Sequence, residues 1–272
     1  MHDEQHHMTS TTTSPSVDRA TPDPAADTSS TSSRGTRILG LACLVGLATL
    51  AVFAFSVSPP DDKLGESVRI MYIHVPTVGW AYLCLICCAI SSVTYLVKRN
   101  RFADILAHAS AEIGVLLLGV TLVSGAAWGH ITWGTYWEWD ARLTTTLLLF
   151  LMFVGYLALR AVPADPASGA VRAAVVGTVS ALMIPVVHMS VEWWASLHQG
   201  ATSFGTLDGN IEGSQQFTLW LSFGVGSLVA VWLLMHRFRV GWLSAAAHDV
   251  ALDDAIVARR ADVVATTSGA DS

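Results

Sequence analysis

Four tryptophans, Trp128, Trp133, Trp137 and Trp139, fall within twelve residues, joined by Tyr136 and interleaved with Gly129, Gly134 and charged side chains. An indole offers wide, rigid, flat apolar area with a polar N–H edge, which suits the face of a planar apolar ligand. An aromatic belt at a membrane surface accounts for one or two such rings per helix end; four in one short stretch exceed it and favour a ligand platform. Asp140 and Arg142 follow, at what reads as a helix start. An acidic acceptor there caps the helix and suits its positive end. Arg142 can pair with Asp140 or grip the anionic edge of a ligand through its fork of donors.

Two histidines flank the platform. His74 precedes Pro76, a residue suited to the first turn of a helix, and His188 precedes Glu192, Trp193 and Trp194. A lone histidine at an interface is ordinarily a polar anchor, but two at one depth beside an aromatic shelf offer more. Neutral imidazole is an axial ligand for haem iron, so these stretches provide flat stacking area and one candidate ligand on each side of a porphyrin. His130 and His198 either contact such a ligand or are solvated. His108 and His236 receive no site role, and His2, His6 and His7 lie in a tail unsuited to a defined site.

Elements that could position these residues are plain in the composition. The chain is 52% hydrophobic and 13% charged, against about 25% charged for a soluble domain. Six apolar stretches, near 38–57, 76–97, 105–127, 143–162, 170–189 and 217–235, are each long enough to cross a bilayer as a helix. Backbone groups in lipid must be satisfied within the segment, so the fold class is all-α, a six-span transmembrane bundle. The first stretch is too long, and lacks a following small-residue cleavage site, to be a removable signal peptide. Nine bases flank the spans on one side (Arg34, Arg37, Lys98, Arg99, Arg101, Arg160, Arg172, Arg237, Arg239) and three, Lys63, Arg69 and Arg142, on the other. The positive-inside rule then puts both termini in the cytoplasm. The loops near 58–75, 128–142 and 190–216 face outward, with the tryptophan-rich loop among them.

Residues 1–35 read as a disordered cytoplasmic tail, 36–240 as the membrane domain, with its tryptophan loop at 128–144, and 241–272 as a cytoplasmic C-terminal tail. Within that last segment 245–264 permits a short helix. The net charge of −6 resides in the two tails, and no basic stripe suits nucleic acid. Cys43, Cys84, Cys87 and Cys88 all sit in apolar runs and read as small buried helix residues, without a disulfide framework or a C-x-x-C-H attachment motif. Glu112 falls inside the third span, where an acid is a functional candidate by default; helix packing or a partner subunit explains it equally.

The stretch Trp133-Gly-Thr-Tyr-Trp137-Glu-Trp139-Asp140-Ala-Arg142-Leu-Thr144 resembles the "WWD" signature of haem-handling membrane proteins, and its Ala-Arg-Leu-Thr ending resembles the haem exporter protein C branch. Arg69-Ile-Met-Tyr-Ile-His74-Val-Pro76 agrees with that branch. So does Val187-His188-Met-Ser-Val-Glu192-Trp193-Trp194, with Leu197-His198-Gln199-Gly200-Ala201-Thr202 after it. The resemblance spans roughly 36–240. It implies a bacterial inner-membrane component of c-type cytochrome biogenesis that binds haem b, with His74 and His188 as axial ligands of the iron. Trp128, Trp133, Trp137, Trp139, Asp140 and Arg142 would make the binding surface, and no residue is catalytic. The implied partners are a periplasmic-type haem chaperone, an ABC transporter's ATPase and membrane subunits, and a small membrane accessory protein. The role implied is haem transfer that assists covalent attachment to the chaperone, rather than stand-alone enzymology. Tyr136, Glu138 and His130 depart from the family pattern without removing an implied ligand. A cytochrome c synthase-like WWD protein would carry more spans and a large outward domain. A cytochrome b-like electron-transfer subunit would hold its ligands deeper inside the spans.

Overall fold

The computed structural model describes residues 33–162, 166–198 and 213–270, and the side chains of all of these except 166–167 and 261–270. Most of the N-terminal tail, and the loop beyond His198, lie outside the described residues. Regular structure among the described residues is helical, apart from one isolated bridge between Asp61 and Gly65. Seven helices run in order: α1 Arg34–Val52, α2 Val68–Lys98, α3 Arg101–Trp133, α4 Ala141–Ala161, α5 Pro166–Ala181, α6 Met183–Trp193 and α7 Gly213–Ala270. A π-helical turn, Phe53–Val57, prolongs α1. With α5 and α6 stacked as one interrupted span, six helices are long and apolar enough to cross a membrane, one for each apolar stretch of the sequence.

Three boundaries differ from the sequence expectation. The linker after α1 winds directly into α2 through successive short-range bonds, from Ser67 N to Leu64 O and Arg69 N to Glu66 O (3.2 Å each). The helix therefore begins at Val68, and Pro76 lies inside it, in the third turn rather than the first. α3 runs on to Trp133, so Trp128 and Trp133 are helical and the tryptophan loop shrinks to 134–140. The fifth span breaks at Leu182, because Pro185 has no N–H to bond the Ala181 carbonyl. Leu182 N turns back to Val179 O at 3.1 Å, and Pro185 sits in the first turn of α6, where proline is tolerated. The helix permitted over 245–264 is the uninterrupted continuation of the sixth span.

α2 and α3 form a hairpin that carries the centre of the bundle. Arg99, at φ 51°, closes α2, and the Asn100 side chain caps α3 by accepting from Phe102 N at 2.8 Å. Leu85, Cys88, Ala111 and Leu118 of this hairpin are buried against Leu149, Phe153 and Tyr156 of α4 and Val187 of α6. Between apolar helices in lipid the driving force is close packing rather than exclusion of water. Gly114 illustrates it: a Cβ there would stand 2.5 Å from Leu85 Cδ2. All four cysteines are unpaired; three are buried and Cys87 is partly buried.

Charged residues collect toward the end of the bundle carrying the α2–α3 turn, called here the basic end. Asp104 of α3 takes both terminal nitrogens of Arg160 of α4, one at 3.0 Å. Glu112 accepts from Arg237 of α7 at 2.8 Å and has His108 at 3.5 Å. The intramembrane acid is thus a clasp between α3 and α7, whatever else it does. Replacing Gly114 with valine is expected to cost about 1–3 kcal/mol of stability through overpacking, read as a lower thermal unfolding midpoint in detergent. Gly155→Val, at a position facing open space, is expected to leave the midpoint nearly unchanged.

Candidate functional site

The opposite end gathers the outer turns of α2, α3, α4 and α6 with the 134–140 loop and the segment after α6. His74 sits six residues into α2, and His188 five residues from the end of α6. At about 1.5 Å per residue both lie roughly 8 Å inside their helix ends. They belong to the same end of the bundle, as expected.

His74 is fixed by α3. Its Nδ1 lies 3.0 Å from Ser124 Oγ, and Ser124 Oγ also lies 2.7 Å from Val120 O and 3.2 Å from Thr121 O. A hydroxyl has one hydrogen to give. Donated to a carbonyl, it leaves Ser124 to accept from His74 Nδ1–H, and so leaves His74 Nε2 as the unprotonated nitrogen. The imidazole fits because residue 125 has no side chain: a Cβ there would be 3.0 Å from His74 Cε1. Trp128 meets the ring edge-on, with centroids 5.8 Å apart and planes at 73°, and packs with Met71 and Tyr72 in a second buried cluster. Ser124 and Gly125 escape sequence reasoning because small residues inside an apolar run carry no signal of their own.

α3 ends where Gly134 adopts φ 79°, a left-handed conformation that glycine takes without strain. The loop then spreads its aromatic rings. Trp137 is half-buried and meets Trp139 edge-on at 5.7 Å, and Tyr136 stacks on His130 at 4.0 Å with planes 6° apart. Trp139 is 76% exposed, Tyr136 63%, Trp193 56% and Trp194 53%. An apolar shelf of this size at a helix-bundle end marks a binding surface or a membrane contact.

Asp140 ties this end together. Its Oδ1 caps α4 by accepting from Leu143 N at 2.8 Å. Its Oδ2 accepts from Ser196 Oγ at 2.5 Å, Leu197 N at 3.2 Å and His198 Nδ1 at 3.1 Å. The capping role expected of Asp140 is present, and the carboxylate also holds the chain after α6. Arg142 does not pair with Asp140, whose oxygens are engaged elsewhere; its Nη2 donates to the carbonyl of His188 at 3.0 Å. His198 is not simply solvated, for it packs edge-on against Trp133 at 4.9 Å.

Burial pushes the Asp140 carboxyl up, but the hydrogen bonds from Ser196, Leu143 and His198 outweigh it, and its pKa lies below the ordinary 3.8. Burial lowers His198 below the ordinary 6.5, with Arg142 adding to the effect against the pull of Asp140. Both shifts carry the same sign for stability, because the unfolded chain takes up a proton before the folded one does.

Four buried N–H donors at this end have no hydrogen-bond partner: Arg69 Nε, Trp128 Nε1, Trp137 Nε1 and Arg142 Nε. A buried donor left unpaired costs about 1–3 kcal/mol, so such a set calls for an acceptor from outside the chain. Arg69 stands over the Phe55 ring at 5.2 Å while pairing with Glu66 at 2.6 Å. Flat apolar area, oriented imidazole and unpaired donors together suit a planar ligand with anionic edge groups and a metal centre. Among the described residues no group of three or more His, Cys, Asp or Glu side chains forms an all-protein metal site, whereas an iron already held by a porphyrin needs two ligands at most.

The chain is similar to proteins of known family. Residues 20–252 match the family model described as CcmC, heme exporter protein C. Heme exporter protein C of Bradyrhizobium diazoefficiens is 41% identical over 59% of this chain and 61% of its own length. The proteins of the same name from Haemophilus influenzae and Escherichia coli are 38% and 35% identical, each over 72% of this chain and 80% of the relative.

The clasp formed by Asp140 is expected to be complete above pH 6.5, to weaken as pH falls and His198 charges, and to weaken again below pH 3.8. The protection of the backbone amides at 196–198 in the haem-free protein, taken relative to their intrinsic exchange at each pH, is expected to fall between pH 7.5 and about 5.5. Asp140→Ala is expected to lower that protection at both pH values, because the acceptor that holds Ser196, Leu197 and His198 is gone.

Proposed function

Because this chain belongs to the haem exporter protein C family, we propose that it binds haem at its tryptophan end and hands it on during maturation of c-type cytochromes. The observation that carries the reading is the coincidence, at one end of the bundle, of the oriented His74 imidazole, the exposed indole shelf and four unpaired buried donors. Each answers a different part of the cargo: iron, macrocycle and propionates. In this reading His74 and His188 are the axial ligands of haem b. Trp133, Trp137 and Trp139 face the ring, while Arg142, Arg69 and the Trp128 and Trp137 N–H groups receive the propionates. Asp140 acts from behind, by holding α4 and the post-α6 segment in place.

The distribution of bases supports placing the tryptophan end outside a bacterial inner membrane, with both termini in the cytoplasm. The exposed shelf then faces a periplasmic-type haem chaperone. The family's name supports work beside an ABC transporter's ATPase and membrane subunits; a small membrane accessory protein that aids release of the chaperone is part of the same proposal. The haem supplies the edge that becomes covalently attached; the chain's own part is to hold, orient and release.

His74→Ala with His188→Ala is expected to abolish the bis-histidine optical spectrum of the purified protein, with each single variant at least weakening it. An unchanged spectrum in the double variant overturns the ligand assignment. Gly125→Val, which adds bulk beside His74 without touching a ligand atom, is expected to lower haem content several-fold while leaving the helical content intact.

A further inference from the structure

A groove at the basic end has no part in the haem reading. α7 and α3 approach closely there: a Cβ on Gly241 would stand 3.0 Å from Ile105 Cγ2. Beside that contact Phe102 of α3 and Phe238, Arg239, Trp242 and Leu243 of α7 line an open groove of about 350 Å³. Its wall is a short aromatic stack. The Phe102 and Phe238 ring centroids are 4.9 Å apart, and those of Phe238 and Trp242 6.0 Å apart with planes at 27°. Phe102 stays 49% exposed and Trp242 44%. Arg239 supplies the charge. Among the described residues it pairs with no carboxylate. Its terminal nitrogens reach the Ser33 Oγ at 3.5 Å and the Thr36 Oγ1 at 3.4 Å, long bonds to neutral hydroxyls. Ser33 caps α1, so the positive end of that helix lies beside the guanidinium. Asp249 is taken by Arg101, whose guanidinium also stands 5.9 Å over the Trp242 ring.

Depth decides what this groove meets. The third apolar stretch begins near 105 and the sixth ends near 235. Residues 102 and 238–243 therefore sit one to two turns beyond the hydrocarbon, at the level of the headgroups, where tryptophan is favoured. Open apolar area and a cation short of an anionic partner coincide at that level. A small soluble anion would use the arginine and leave the rings bare. We propose that the groove binds an anionic phospholipid, with its phosphate on Arg239 and its glycerol and first acyl carbons against Phe102, Phe238 and Trp242. Basic pockets between helices on the cytoplasmic side take anionic headgroups in this manner, and the planar fork of arginine suits phosphate. A lipid seated there bridges the cytoplasmic ends of α1, α3 and α7. The site lies at the far end of the bundle from the indole shelf, so its success or failure leaves the haem reading untouched.

The full-length protein in detergent, titrated with phosphatidylglycerol or with phosphatidylcholine of the same acyl chains, tests this by native mass spectrometry, which counts the lipids retained. One phosphatidylglycerol is expected to bind about 5-fold more tightly than phosphatidylcholine. Arg239→Gln is expected to lower the phosphatidylglycerol affinity about 5-fold, to the level of phosphatidylcholine. Arg239→Lys is expected to keep most of that affinity, and Trp242→Ala to weaken both lipids. Arg259→Gln, which removes the same charge twenty residues further along α7, is expected to change neither. Equal retention of the two lipids by the wild-type protein overturns the inference. So does a phosphatidylglycerol affinity untouched by Arg239→Gln, or lowered as much by Arg259→Gln. Inorganic phosphate separates a lipid from a bare anion: phosphatidylglycerol is expected to raise the thermal unfolding midpoint and phosphate alone to leave it unchanged. An equal rise with phosphate marks a bare-anion site, and the lipid inference falls. Should Arg239→Gln not fold, the two-lipid comparison in the wild-type protein and in Trp242→Ala still decides.

Discussion

Asp140 is a nearly buried carboxylate whose two oxygens accept from four groups: the Leu143 and Leu197 amides, the Ser196 hydroxyl and the His198 ring. These donors come from two places far apart in sequence, the first turn of α4 and the chain just after α6. Burying an ionised group is costly unless its hydrogen-bonding capacity is filled, and filling it here forces those two places into one geometry. Everything else at the tryptophan end follows from that constraint. With α4 anchored, Arg142 reaches the His188 carbonyl and fixes the last turns of α6. With the post-α6 chain anchored, His198 lies against Trp133 at the end of α3, and the 134–140 loop must span the gap with its rings turned outward.

The rest of the bundle holds that end steady by means suited to lipid. Close contacts such as Gly114 on Leu85 bring α2 and α3 together, and the ion pairs Asp104–Arg160 and Glu112–Arg237 link α3 to α4 and α7 near the basic end. An ion pair with little water around it is no great source of net stability, but breaking one side of it is costly, so these pairs specify which helices meet. The two ends therefore divide the work. Charged side chains toward the basic end pair with one another, whereas at the tryptophan end four buried N–H donors remain unmatched.

How much of this was legible beforehand depended on the length scale of the signal. The six spans were plain, because each needs some twenty apolar residues and the chain supplies them as uninterrupted runs. The indole cluster and the flanking histidines were plain because tryptophan and histidine are scarce elsewhere in a span. Helix ends were not: α3 continues through Trp128 and Trp133 because Gly134, not the onset of aromatic residues, is the first position that takes a left-handed turn. The break at Leu182 follows from Pro185, a residue easily passed over inside an apolar run. Tertiary partners were invisible. Ser124 and Gly125 look like ordinary small helix residues, and nothing local to His198 announces that a carboxylate fifty-eight positions away will fix its tautomer. Arg142 was open between two partners in the sequence, and the structure chose a third, the His188 backbone.

A preorganised site can be built either to retain a ligand or to pass it along, and the difference lies in what surrounds it. Retention favours enclosure, since each face of a planar ligand removed from water adds apolar burial. Here Trp139, one of the three rings assigned to such a face, is 76% exposed, Trp133 and Trp137 are more covered, and Trp193 and Trp194 at the same end are more than half exposed, so part of that energy is left for a second surface to claim. Unpaired donors beneath an open shelf have the same character: they favour an anionic edge arriving from outside without closing over it. A protein that must load a partner gains from such an unfinished site, because the burial missing from this chain becomes the driving force for the partner's approach. The proposed transfer role asks for such a site: an oriented imidazole inside an open frame can hold a cargo without trapping it.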